Sequence, residues 1–190
     1  MLGAPALASA LRGLQPILLE QTFFRVIHAK YAPTALSAFG SYRFGGRYNP
    51  AGAFEVLYLA DSPVSALEEV EALLRTNRDL RGVKGPPRIV LSVECALQRV
   101  LGLDDETLRT LGLTVEEVTA PWRERLRHDR RPVTHDIGQV SFERGDVEAL
   151  LVPSAKDPAA LNLAVFPDRL VEGSSLRVFD DSGMIDARLP

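Results

Sequence analysis

Apolar and polar positions change period several times along the chain, and these changes outline its elements. Residues 4–20 predict a short helix, limited by Pro16. Thr22–Ile27 predicts a strand with Arg25 set between apolar neighbours. Phe54–Ala60 predicts another, from its bulky apolar and aromatic content. Asp61-Ser62-Pro63 then signals a helix start, with Ser62 as N-cap and Pro63 in the first helical position, and the helix is expected to reach about Arg75. At about 3.6 residues per turn, Ala66, Leu67, Val70, Leu73 and Leu74 share one face of it. Glu68 points nearly opposite, into solvent. Glu69 falls at the border of the apolar face, half-sheltered and able to face a cleft.

Residues 75–87 are expected to form a polar loop containing Gly and Pro, and Ile89–Glu94 predicts a further strand. Asp104–Leu111 predicts a short helix, and Thr114-x-x-Glu117 is a capping box opening another, with Pro121 near its first turns. Val133–Phe142 is expected to be helical; Ala149–Val152, Leu161–Phe166 and Leu176–Phe179 are expected to be strands. Strands and helices mix without regular βαβ alternation, which favours α+β over a doubly wound sheet. The 190 residues show no internal repeat and no long linker, and fit one domain with a core at about 22–180 and residues 1–20 as an N-terminal helical extension.

Composition narrows the classes. Hydrophobic residues make up 46% and charged residues 25%, ample for a core. A net charge of −3 argues against a general nucleic-acid binder, whose domain is usually basic. Cys95 is the single cysteine, which excludes an intrachain disulfide and a cysteine-based zinc site. Its strand setting reads as a buried structural thiol. Met1–Leu19 is apolar but lacks a basic start and is interrupted by Arg12, so no secretory signal is expected. No run of about 18 apolar residues offers a membrane span, so a cytoplasmic location is expected.

The most informative stretch is Tyr42-Arg43-Phe44-Gly45-Gly46-Arg47-Tyr48-Asn49-Pro50. Adjacent glycines reach conformations closed to other residues and bring main-chain N–H groups close to a ligand. Guanidinium groups bind phosphate bidentately. Such a loop can hold a phosphorylated, ring-containing small molecule; the same residues also make an ordinary turn. Tyr58 either packs in the core or stacks on a planar ligand. Glu69 is either a surface-edge charge or the stabiliser of positive charge developing on a substrate. Val152-Pro153-Ser154-Ala155 either ends a strand or offers a small hydroxyl there. The chain has no Gly-x-x-x-x-Gly-Lys-Ser/Thr, Gly-x-Gly-x-x-Gly or Gly-x-Ser-x-Gly motif, so P-loop, Rossmann and hydrolase-elbow chemistries are unsupported. His28, His128 and His135 lack compact metal-ligand spacing. His128 lies among Arg123, Arg125, Arg127, Arg130 and Arg131, a run that reads as a solvated helix face, with a partner- or anion-binding patch as the alternative.

Taken in order, these pieces resemble the RES-domain toxins of bacterial RES–Xre toxin–antitoxin pairs, a family named for arginine, glutamate and serine. The matching residues are Arg25 on the first strand, Phe44-Gly45-Gly46-Arg47-Tyr48-Asn49, Tyr58-Leu59-Ala60-Asp61-Ser62 with Glu69 eleven residues past the tyrosine, Leu151-Val152-Pro153-Ser154-Ala155, and Asn162-Leu163-Ala164-Val165-Phe166. Tyr48 stands where family members often carry tryptophan. The resemblance covers about residues 22–180. It implies an α+β, ADP-ribosyltransferase-like single domain with a central mixed or antiparallel sheet, flanking helices, and action on NAD. Known members hydrolyse or phosphorolyse NAD, or transfer ADP-ribose to a protein, and a helix-turn-helix antitoxin of Xre type blocks their active site.

The resemblance assigns catalysis to Glu69 and Arg47, and NAD binding to Arg25, Gly45, Gly46, Tyr58, Ser154 and Asn162. Breaking the nicotinamide–ribose bond generates oxocarbenium character, as glycoside hydrolysis does, and Glu69 would stabilise that cation. Arg47 and Arg25 would hold phosphate or ribose oxygens, with Gly45 and Gly46 allowing close backbone approach. Tyr58 would pack against the nicotinamide or its ribose, and Ser154 would orient a ribose or a nearby side chain. NAD is the expected substrate, with no cofactor and no metal. The expected role is a toxin that depletes NAD, as a glycohydrolase or phosphorylase. The alternatives are a mono-ADP-ribosyltransferase with a specific protein target and a non-catalytic nucleotide-binding module. The expected partner is the antitoxin, with no direct nucleic-acid or membrane contact; a homodimer or larger toxin–antitoxin complex is a further expectation.

Overall fold

The computed structural model describes residues 4–76, 87–157 and 159–190, with the backbone alone for 70–76. Helix α1 (Ala4–Gly13) leads into β1 (Ile17–His28), a 3-10 helix (Ala29–Thr34) and α2 (Phe39–Phe44). Next come β2 (Leu57–Ala60), α3 (Pro63–Thr76) and the long β3 (Arg88–Gly102). Four helices follow: α4 (Asp105–Thr110), α5 (Val115–Thr119), α6 (Trp122–Arg127) and α7 (Val133–Arg144). The chain ends in β4 (Ala149–Pro153), β5 (Leu161–Val165), β6 (Ser175–Phe179) and β7 (Arg188–Leu189).

The strands lie in the order β1-β2-β5-β4-β3-β6-β7, antiparallel except for the β3–β4 pair. β1 also pairs along most of its length with β3, so β1, β2, β5, β4 and β3 close into a ring. Alternation along each strand then separates two cores. Phe23, Leu59, Leu91, Val93, Leu163 and Val165 point into the ring. Leu150, Val152 and Ala164 point outward, onto Leu11 of α1, Leu108 of α4, Val118 of α5 and Ile137 of α7. The expected α+β class and mixed central sheet with flanking helices are therefore what the chain adopts.

Local capping explains the helix starts. The Ser62 hydroxyl accepts from Ser65 N–H at 3.0 Å, and the Asp104 carboxylate accepts from Thr107 N–H at 2.7 Å. Both hydrogen bonds of the Thr114–Glu117 capping box are present. Pro121 stops α5 and immediately precedes α6.

The strands depart further from expectation. The predicted helix over 4–20 stops at Gly13, and residues 17–20 belong to β1, where Leu19 and Glu20 face Leu97 and Ala96 of β3. Strand 89–94 runs on to Gly102 because β1 and β4 continue the ladder. Phe54–Val56 stays outside β2: the Phe54 carbonyl accepts from the Asn49 amide and the Val56 N–H donates to the Ser41 hydroxyl. Tyr42–Phe44, read as the start of the glycine loop, is the end of α2. Leu67, placed on the apolar face of α3, is 42% exposed, whereas Ala66 is buried. The burial expected for Val70, Leu73 and Leu74, and residues 77–86 of the loop expected over 75–87, lie outside what is described.

Candidate functional site

The glycine loop is built around its own polar groups. Gly45 adopts φ 72°, a region that favours glycine, and donates its N–H to Ser41 O at 2.8 Å. Asn49 is fully buried. Its amide donates to Ser41 O at 2.9 Å and Phe54 O at 3.0 Å. Tyr58, from β2, closes the unit: its hydroxyl accepts from Tyr48 N–H at 2.8 Å and donates to Asn49 Oδ1 at 2.9 Å. A Cβ on Gly46 would overlap the Tyr58 side chain and Asn49 Oδ1, so the second glycine makes room for the tyrosine. Burial raises the Tyr58 and Tyr48 pKa values, which keeps both phenols neutral; Tyr58 donates, while the buried Tyr48 hydroxyl has no partner among the described residues.

Two helices hold this loop from behind. His135 of α7 is buried and its Nε2 lies 3.0 Å from Gly46 O. A carbonyl only accepts, so Nε2 carries the proton. Burial lowers the His135 pKa, and the Gly46 contact partly opposes that. Arg47 reaches α5, where Nη1 donates to Val118 O at 2.9 Å and Ala120 O at 2.8 Å, the helix's last carbonyls. Beyond Pro121, buried Trp122 lies 5.7 Å from the His135 ring, and Arg123 stacks over Trp122 at 4.2 Å. Arg123 is within charge–charge reach of Arg47, Tyr58 and Glu69. Its pKa is lowered first by desolvation and then by Arg47, with Tyr58 and Glu69 opposing.

Glu69 of α3 is half-buried and Glu68 is exposed, the distinction the helical period draws. Glu69 Oε1 accepts from the Asn162 amide at 3.2 Å. Asn162, the second residue of β5, lies opposite Ala60, and its Oδ1 is buried without a hydrogen-bond partner among the described residues. Ser154 is one residue past β4, at the same end of the sheet, since Val152 faces Asn162. Its buried hydroxyl accepts from Lys156 N–H at 3.1 Å and Asp157 N–H at 3.4 Å, closing a turn.

Gly45, Gly46, Arg47 and Tyr58 thus form one bonded unit; Glu69 and Asn162 form a pair; Arg123 is near both. Ser154 stands at the end of the adjacent strand. Arg25 does not join them. Alternation turns it to the inner face of the ring with Phe23, where Nη1 donates to Ala35 O at 2.6 Å and Nη2 to Ser37 O at 2.9 Å. Burial lowers its pKa to about 10. Trp122, Arg123 and His135 were not singled out by sequence as site residues. The one available signal for Arg123 is that it starts the basic run directly after the Pro121 stop and an aromatic.

The cluster offers one carboxylate, one amide and two guanidiniums. Cys95 is buried with its thiol pushed up to about 12, unsuited to nucleophilic attack at neutral pH. Among the described residues, no three His, Cys, Asp or Glu side chains converge to hold a metal, and no helix is long and apolar enough to cross a membrane. Two surface concavities lie elsewhere, one around Glu94 and Arg177, the other around Tyr42 and Phe142.

Comparison with curated proteins gives no match. Among solved structures, the fold matches a chain of the M. tuberculosis MbcT–MbcA toxin–antitoxin complex with a TM-score of 0.69, covering 92% of this chain and 90% of that one at 22% identity. At that identity the likeness establishes the fold. The RES domain profile matches residues 22–185, from within β1 through the glycine loop, α3, β4 and β5 to beyond β6. The chain belongs to the RES-domain family.

Proposed function

We propose that this protein is the toxin of a toxin–antitoxin pair, acting in the cytoplasm by cleaving the nicotinamide–ribose bond of NAD. The carrying observation is the Glu69–Asn162 pair beside the clasped Arg47–Tyr58 loop. Asn162 holds Oε1 of the carboxylate, and Oε2 has no protein partner among the described residues. A carboxylate so held is suited to stabilise an oxocarbenium-like ribose. In that reaction the C–N bond breaks, its electron pair leaves with neutral nicotinamide, and an acceptor oxygen forms the new bond to the ribose carbon, releasing its proton to solvent where the acceptor is water or a hydroxyl. The unpaired, buried Asn162 carbonyl supports a ligand role, since such groups cluster at functional sites. Tyr58 and the glycines shape the wall, with Arg47 for the phosphates and Ser154 at the rim; Arg25 acts from the inner face by holding residues 35–37. NAD is the substrate, and neither cofactor nor metal is required. Family membership and the fold shared with a toxin–antitoxin structure support an antitoxin partner, for which a helix-turn-helix protein of Xre type is the expected form.

Purified protein is expected to release nicotinamide from NAD, and Glu69→Gln to slow release by about 10²–10³-fold at unchanged melting temperature. Full activity in Glu69→Gln would sink the assignment. Running the reaction with and without phosphate, and with labelled NAD in lysate, identifies the acceptor as water, phosphate or a protein side chain.

A further inference from the structure

We propose that Arg123 and Arg47 together form the anion seat of the site, and that the phosphate-bearing part of the substrate binds between their guanidinium groups. The sequence points to Arg25 and Arg47 for this role. Arg25 has both terminal nitrogens on backbone carbonyls of the inner face. Arg47 is pinned through Nη1 alone, which orients the guanidinium and leaves Nη2 and Nε without protein partners among the described residues. Arg123 approaches from α6, whose Trp122 packs on the same His135 that holds Gly46. The Arg123 guanidinium carbon lies over the Trp122 ring, 4.2 Å from the centroid, a cation–π contact that restrains the side chain. No hydrogen bond or ion pair engages Arg123 among the described residues.

Charge argues the same way. Two guanidiniums within interaction range repel, and Glu69, already sharing one oxygen with Asn162, is the carboxylate that Arg123 senses. A bound phosphate group removes the repulsion and offers both planar donors matched oxygens. Arg123 feels the charge of both Arg47 and Glu69, so an anion held by the two guanidiniums would present the attached ribose towards the carboxylate. The inference rests on the NAD reading for the identity of the anion, the pyrophosphate of a dinucleotide.

The test is calorimetric titration of the full chain with ADP-ribose and, separately, with nicotinamide riboside, which has no pyrophosphate. Arg123→Gln is expected to weaken ADP-ribose binding about tenfold or more, Arg123→Lys to recover part of that loss, and exposed Arg130→Gln to change nothing. Nicotinamide riboside should bind all four proteins alike. Equal ADP-ribose affinity in wild type and Arg123→Gln, an equal loss for both ligands, or no ADP-ribose binding by the wild type overturns the proposal. Nicotinamide release from NAD by the wild type is read in parallel. A protein that holds ADP-ribose through Arg123 yet leaves NAD intact retains the seat and loses the NAD-cleaving reading.

Discussion

At the residue scale, the helical period separated Glu69 from Glu68 because burial on a helix repeats with sequence distance alone. Partners distant in sequence left no such trace. Asn49 looks like half of an Asn-Pro turn, yet its side chain is the hub on which Ser41, Phe54 and Tyr58 converge. Arg25 looks like a ligand-binding arginine, and its partners are two carbonyls ten and twelve residues on. His135 was legible only as a lone histidine, although it supports the backbone of Gly46. It gives a pH-dependent prediction. Its folded pKa is lowered from 6.5, so the folded state favours the neutral ring. Its contribution to stability is complete above pH 6.5. It falls as the pH drops below that value, where the unfolded chain takes up the proton more readily. His135→Gln should lose about 1 kcal/mol at pH 7.5. The gap to wild type, measured by thermal melts, should narrow towards pH 5; a constant gap would show that His135 does not titrate differently on folding.

At the element scale, helix starts were readable because a cap joins residues three apart. Strand extents were not, because β1 finds its partners some seventy residues later. Exposed Ile17 and Leu18 also blur the alternation at the start of β1. Helix α7 shows a different limit. Its location was legible, but its buried side is Thr134, His135, Ile137, Gly138 and Ser141, mostly small or polar residues that no apolar stripe announces. Those small residues let the helix approach the glycine loop, and a Cβ on Gly138 would strike the Tyr48 carbonyl. Alanine normally strengthens a helix by about 1 kcal/mol over glycine. Here the obstacle is backbone, which cannot rotate aside. Gly138→Ala is therefore expected to destabilise by about 3 kcal/mol and lower the melting temperature by roughly 10 °C, with weaker NAD turnover as Gly46 and Arg47 are displaced. A neutral or stabilising Gly138→Ala would show that α7 and the loop are not in close contact.

At the scale of the whole molecule, the ring closes through a defect. Leu97 and Val100 of β3 both point inward, while their partners on β1 are Leu19 and Ile17, so β3 carries one extra residue. The bulge presents two N–H groups, of Gln98 and Arg99, to one carboxylate oxygen of Glu148, each at 2.8 Å. The other oxygen accepts from Val171 N–H at 2.7 Å, and the Glu148 backbone bonds to Arg99 O and Phe166 N–H. One fully buried residue thus ties β3, the start of β4, the exit of β5 and the segment before β6, the side chain holding β3 and Val171 and the backbone holding Phe166. In sequence it is an ordinary acidic residue in Asp146-Val147-Glu148, and nothing local separates it from a solvated charge. The molecule therefore shelters two carboxylates with opposite assignments, at opposite ends of the sheet. Glu148 has its oxygens filled by three backbone donors, whereas Glu69 has one oxygen held and one open. Glu148→Gln keeps the shape but turns an amide N–H₂ against a backbone donor. The expected loss is about 3 kcal/mol, a fall of roughly 6–12 °C in melting temperature, with nicotinamide release per folded molecule unchanged. Glu69→Gln should do the reverse, holding its melting temperature while release collapses. Measuring both quantities on both variants separates the carboxylate that closes the fold from the one assigned to chemistry, and parallel losses in the two variants would erase that division.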